Sequence, residues 1–200
     1  MYPTIACVIP TPGQGRPLKR CLNSIAPQVV PGDEVWVIGD THGGSLPEVE
    51  RLVSDYGPAF KYVPFDAGYH GWGHPQINQG RALAAADYLT YNDDDDVFTG
   101  DAFKAIREAA AELSEPRPLM FRFVAQFRLT LWDEKLIRQD HIGGHCFVPP
   151  NIKERLAPWT DRYQGDYDHI RGSVDLWPNK DADVVWREEV IAIARPEEPA

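Results

Sequence analysis

Ile5-Ala6-Cys7-Val8-Ile9 is an unbroken apolar run closed by Pro10, and Val35-Trp36-Val37-Ile38 repeats the pattern. A strand covered on both faces reads this way, because neither side has to meet water. Between the two runs Leu18, Cys21, Leu22 and Ile25 fall at helical spacing, with Pro17 tolerated in the first turn. Strand, helix and strand in this order make a β-α-β unit. Working outward, the spacing predicts a second helix from about Pro47 to Tyr56, with Val49, Leu52, Val53 and Tyr56 on one face and Gly57-Pro58 ending it. Phe60 to Pro64 reads as a third strand, Asn78 to Ala86 as an alanine-rich helix and Tyr88 to Tyr91 as a fourth strand. Strands alternating with helices argue for a doubly wound, mostly parallel α/β sheet with helices on both faces. Its ligands sit at the carboxyl ends of the strands.

Beyond Asp101 the pattern changes. Ala102, Phe103, Ile106, Ala109, Ala110 and Leu113 predict a helix that stops before Pro116 and Pro118. From Leu119 to Leu131, Phe121, Phe123, Ala125 and Phe127 alternate with Arg122, Gln126 and Arg128, which fits antiparallel strands with one solvated face. Cys146-Phe147-Val148 reads as a short strand, Asp166 to Leu176 as a helix, and Val184 to Ala194 as two short strands around Arg187-Glu188-Glu189. No repeat or linker divides the chain. We expect one domain over residues 1–195, with a ligand-binding front half (1–100) and a mixed back half (101–195), and a short tail at 196–200.

The chain has 200 residues, with 20 Lys and Arg against 30 Asp and Glu and a net charge of −10. That balance argues against a basic face gripping phosphate backbones. No apolar run reaches the roughly 18 residues that cross a bilayer, and Met1-Tyr2-Pro3-Thr4 lacks a basic signal region. A cytoplasmic protein is expected. Cys7, Cys21 and Cys146 have no C-x-x-C spacing, so neither a disulfide framework nor a cysteine zinc site is indicated.

Four successive carboxylates, Asp93-Asp94-Asp95-Asp96, follow the fourth strand directly. On its own such a run is a solvated turn. At the carboxyl end of a buried strand it opens instead on the ligand crevice, where a divalent cation neutralises it best. Magnesium or manganese held there would bridge to substrate phosphates and offset charge on a leaving diphosphate.

With this run the chain resembles the inverting glycosyltransferases of the large family-two type, which have the A-type nucleotide-sugar fold and an Asp-x-Asp motif. The residues that carry the resemblance are the first strand with Pro10-Thr11, the turn with Arg16-Pro17, the strand ending at Asp40, Asn78-x-Gly80, and the aspartates after Asp87-Tyr88. The chain departs from the family at Gly39, where an acidic residue is usual, and at Ile77, where an arginine is usual. The resemblance implies a nucleotide diphosphate sugar as donor and a hydroxyl-bearing acceptor: a glycan, a small molecule or a modified nucleic acid. Pro10, Thr11, Arg16, Asp40, Asn78 and Asp93 would contact the donor. Asp93 and Asp95 would hold the cation, with Asp94 or Asp96 sharing the role.

In Gly165-Asp166-Tyr167-Asp168-His169 the resemblance implies that Asp166, at the head of a late helix, takes the acceptor proton. Asp166 also suits a helix cap. Asp168 is the second choice of base, and His169 is a further expected cation ligand. Gly143, Gly144 and His145 would lie near the acceptor and the donor sugar. The loop Gly68 to Pro75 carries His70 and His74 without a third ligand at zinc spacing, so it reads as a cover over the donor or a plain connection. Trp132, Trp159 and Trp177 suit either sugar stacking or the core. Two other readings stand: a nucleotidylyltransferase, echoed by Gly13-Gln14-Gly15-Arg16, and a non-catalytic cation- or carbohydrate-binding module.

Overall fold

The first apolar run becomes β1 (Ile5–Thr11), with all seven residues buried. In a computed structural model, which describes residues 2–13, 15–42, 46–66, 72–125 and 128–196, β1 sits inside a parallel sheet. It is flanked by β2 (Glu34–Asp40) and β4 (Tyr88–Tyr91), and β3 (Phe60–Phe65) lies beyond β2. Cys7 pairs with Val35 on one side and Thr90 on the other.

Because strand side chains alternate, β1 feeds two cores. Ile5, Cys7 and Ile9 pack with Leu18, Cys21, Leu22 and Ile25 of α1 (Gly15–Ile25) and Val49 and Val53 of α2 (Leu46–Ser54). Ala6 and Val8 pack with Ile77 of α3 (His74–Leu83), Ile38 and Leu89. The sheet is therefore covered by helices on both faces, as the unbroken apolar strands predict. Gly80 lets α3 close on the sheet, since a Cβ there would run into Val8.

α3 starts at His74, four residues before the expected Asn78, because Pro75 in its first turn is preset for helix. It also ends early. Ala84 is extended, and Glu34 Oε2 accepts the N–H groups of Ala85 (2.7 Å) and Ala86 (3.3 Å).

The second sheet runs β5 (Val97–Phe98), β9 (Val185–Ile193), β6 (Leu119–Val124) and β7 (Thr130–Leu131), with β8 (Phe147–Val148) also on β6. The β6–β7 pair is antiparallel, as the alternation predicts. The two strands expected at 184–194 are one. Arg187, Glu188 and Glu189 bulge where β9 pairs with β6, between the partners Met120–Trp186 and Arg122–Val190, so the strand continues past them. α4 (Ala102–Ala111) and α5 (Gly165–Asp175) complete the described elements. Gln14, Gly68 to Gly71, Gln126, Phe127 and the tail beyond Pro196 lie outside the described residues.

A buried brace ties the amino ends of the strands. The Asp33 carboxylate pairs with Arg107 of α4 and accepts the N–H of Ile5 and of Val30, each at 2.9 Å. No helix among the described residues is long and apolar enough to cross a membrane. All three cysteines are buried and free.

Candidate active site

β4 delivers the acidic run to the carboxyl edge of the parallel sheet. Asp96 donates its N–H to the Asp93 carbonyl at 3.2 Å, which closes a four-residue turn. A turn brings its first and fourth residues together and points the middle two aside. Asp94 Oδ2 accepts from Thr11 Oγ1 at 2.6 Å, and Asp95 Oδ2 meets Arg195 Nε at 3.0 Å. Asp96 is buried; its Oδ1 accepts the Arg195 N–H (2.6 Å) and its Oδ2 lies 2.5 Å from His145 Nε2. The same nitrogen is 4.0 Å from Asp93 Oδ2. Ligand atoms of Asp93, Asp96 and His145 all lie within 4.8 Å of one another.

These contacts set the charges. Loss of bulk water around Asp93 pushes its carboxyl up to about 7; His145 opposes this, while Asp96, Asp166 and Asp95 add to it. Asp94 is likewise raised by desolvation to about 6, against the Thr11 hydrogen bond. For His145, burial disfavours the proton, but the Asp96 bond and the surrounding carboxylates outweigh it and raise the imidazole to about 9. The Phe123 ring stacks on this imidazole, with centroids 5.2 Å apart.

The grouping differs from two expectations. Asp95 is turned outward onto Arg195, and its place beside Asp93 is taken by Asp96, because alternate residues share a face only in extended backbone. His169 is fully buried on α5 and stands apart from the grouped ligands. Its Nδ1 donates to the Ala157 carbonyl at 2.7 Å and its ring stacks on Trp159. Burial pushes its pKa down to about 3, so it is a neutral core residue.

Asp166 stands in the first turn of α5. Its Oδ2 accepts the N–H of Gly144 at 3.1 Å, and Oδ1 lies 3.7 Å from His74 Nε2. Burial alone would raise this carboxyl. The adjacent His74 and the Gly144 hydrogen bond, with the nearby His145, hold it below the usual carboxylate range instead. Asp168 faces away. It binds the Thr160 hydroxyl and Arg162, whose bonds lower its pKa.

Asp93, Asp96, His145 and Asp166 line one crevice of about 430 Å³, together with Gly143, Gly144, His74 and Trp159. Pro10, Thr11, Arg16 and Asp40 are not part of its lining. Pro10 packs against Gly73, and Thr11 spans Asp94 and the Gly13 N–H (3.1 Å). Arg16 is exposed. Asp40 ends β2 buried, accepting the His42 N–H at 2.9 Å. Asn78, expected on the donor, has both amide atoms on the Trp159 backbone at 2.9 and 3.0 Å, which makes it a structural clasp. Trp132 and Trp177 are core residues. His74 was legible only as a loop histidine; its partner Asp166 lies far along the chain.

Residues 6–125 match Glycosyl transferase family 2. The chain belongs to this family. Among solved structures it is similar to S. aureus TarS 1-349, with a TM-score of 0.74 at 15% identity over 96% of this chain and 60% of that one. The same protein in complex with UDP-GlcNAc gives 0.73 at 13% identity, over 98% and 60%. A mannosyltransferase from Pyrobaculum calidifontis in complex with GDP-Man and Mn2+ gives 0.68 at 13% identity, over 98% and 57%. At these identities the likeness shows the fold, the A-type arrangement of a parallel sheet beside a mixed one. This family 2 chain spans 60% of the length of the TarS 1-349 structure. No curated protein sequence matches it.

Proposed function

We propose that this family 2 chain transfers a sugar from a nucleotide diphosphate sugar to a hydroxyl acceptor, with inversion at the anomeric carbon. One observation carries the reading: Asp166 and the Asp93–Asp96–His145 group face the same crevice at the carboxyl edge of the parallel sheet. Two carboxylates and an imidazole suit manganese, and magnesium is the other choice. Those three residues would hold the ion, His145 giving up its proton to do so. When bound, the cation offsets charge that develops on the departing diphosphate.

Asp166 is the base. Its lowered pKa keeps it ionised, so it takes the acceptor proton only as the oxygen attacks. In this single displacement the acceptor oxygen bonds to the anomeric carbon on one face while the bond to phosphate breaks on the other, its electron pair leaving with the diphosphate. The Gly144 N–H fixes the carboxylate's orientation, and His74 stands beside its other oxygen. A cytoplasmic setting is part of the proposal. Solved relatives in complex with UDP-GlcNAc, or with GDP-Man and Mn2+, support the donor class.

The test is incubation of the purified protein with a panel of nucleotide sugars and Mn2+, followed by product analysis. Release of a nucleoside diphosphate is expected. Pyrophosphate would point to a nucleotidylyltransferase, and binding without release to a non-catalytic module.

A further inference from the structure

Trp72 and Tyr163 come from distant segments and meet edge to face at the crevice, with centroids 5.3 Å apart and planes at 70°. Both stay exposed, Trp72 by 50% and Tyr163 by 68%, although the other crevice tryptophan, Trp159, is buried. An edge-to-face pair leaves ring faces open, and an open aromatic face at a polar pocket is a surface for an apolar ring face.

The Tyr163 side of the pair is braced. Arg162 donates its N–H to Thr160 O and accepts from the Gly165 N–H, each at 2.9 Å, and its guanidinium is held on Asp168. Tyr163 therefore sits on a braced turn three residues before Asp166. Beside it the lining carries Gln164, Gln139 and Asp140, which give and accept hydrogen bonds to hydroxyls without adding positive charge.

Charge chooses among ring-bearing acceptors. Arg195 is the one Arg or Lys among the described lining residues, and it is engaged by Asp95. His145 is matched by Asp96. Asp140 and Asp166 remain on the acceptor side even with a cation on the other carboxylates. A phosphate-bearing polymer would meet two carboxylates and, among the described lining residues, no cation that a carboxylate does not already engage.

We propose that Trp72 and Tyr163 form an acceptor subsite for an uncharged saccharide, stacking the apolar face of its ring and leaving a hydroxyl toward Asp166. The subsite rests on the reading of Asp166 as base. Its occupancy can be measured with no donor present, so the two can fail separately.

Saturation-transfer NMR of the full chain with neutral oligosaccharides of glucose, mannose and N-acetylglucosamine is the experiment, run beside a glycerol phosphate oligomer and single-stranded DNA. A neutral oligosaccharide is expected to bind, and Trp72→Ala and Tyr163→Ala should each weaken it about tenfold. Trp72→Phe should restore most of the loss. Thermal melting checks that the variants fold, and a second pair, Trp72→Leu and Tyr163→Leu, replaces any that do not. Binding of none of the neutral sugars, preference for either polyanion, or unchanged affinity in the folded variants would overturn the proposal.

Discussion

Gly144 donates its backbone N–H to Asp166 at 3.1 Å, and the next residue, His145, lies 2.5 Å from Asp96. Two successive residues therefore touch the proposed base and the proposed cation ligands.

Asp166→Asn keeps the shape and removes the base. Turnover should fall by about 10²–10⁴-fold, the usual worth of a positioned general base, while donor binding by calorimetry persists. An active Asn variant would place the base elsewhere.

Two neighbouring carboxylates should behave differently. Asp96→Ala leaves His145 without its partner and removes one ligand, so Mn2+ affinity read by electron paramagnetic resonance should fall at least about tenfold. Asp95→Ala breaks only a partly exposed pair with Arg195, worth about 0–1 kcal/mol, and should leave Mn2+ affinity nearly intact. The reverse ranking would restore alternate-residue ligation.

Gly165 is hemmed in by the His74 ring and the Thr160 carbonyl. Gly165→Ala should cost about 1–3 kcal/mol by overpacking. It should lower turnover as well, since His74 and Asp166 are displaced with it. Gly100, with nothing near its Cβ position, is the control, and Gly100→Ala should stay within about 0.5 kcal/mol in a thermal melt.

His169 makes stability depend on acidity. Its folded pKa of about 3 lies below the roughly 6.5 of an unfolded histidine. Between those values the unfolded chain holds a proton that the folded chain lacks, so stability rises with pH and is lost as pH falls from about 6.5 toward 3. From pH 7 to pH 5 the loss from this group is about 2 kcal/mol. Urea unfolding at both pH values should show that much smaller a loss in His169→Phe, which keeps a ring beside Trp159; equal losses in both proteins would assign the acid sensitivity to other groups.

Much of the front half was legible because buried strands and amphipathic helices leave periodic marks. Ile5 to Ile9 and Leu18 to Ile25 needed no tertiary information. β5, only Val97–Phe98, is too short to leave such a mark. Within the site, the acidic run announced its own place at the strand end. Which aspartates stand together depends on a hydrogen bond from Asp96 to Asp93, and composition does not encode that turn. His145 joins them from 49 residues beyond Asp96, so no local signal could pair the two. His169 does carry a local signal. Gly165, His169 and Ser173 recur every four residues on the buried face of α5, and that face is turned away from ligands.

The turn at residues 93–96 is also the seam of the molecule: β4, before it, belongs to the parallel sheet, and β5, after it, to the mixed one. His145 comes from just before β8, and Arg195, gripping Asp95 and Asp96, from just after β9. The spacing of the three proposed ligands therefore depends on how the two sheets are set against each other. A slip of one layer over the other would move His145 relative to Asp93 and Asp96, which ride together on one turn.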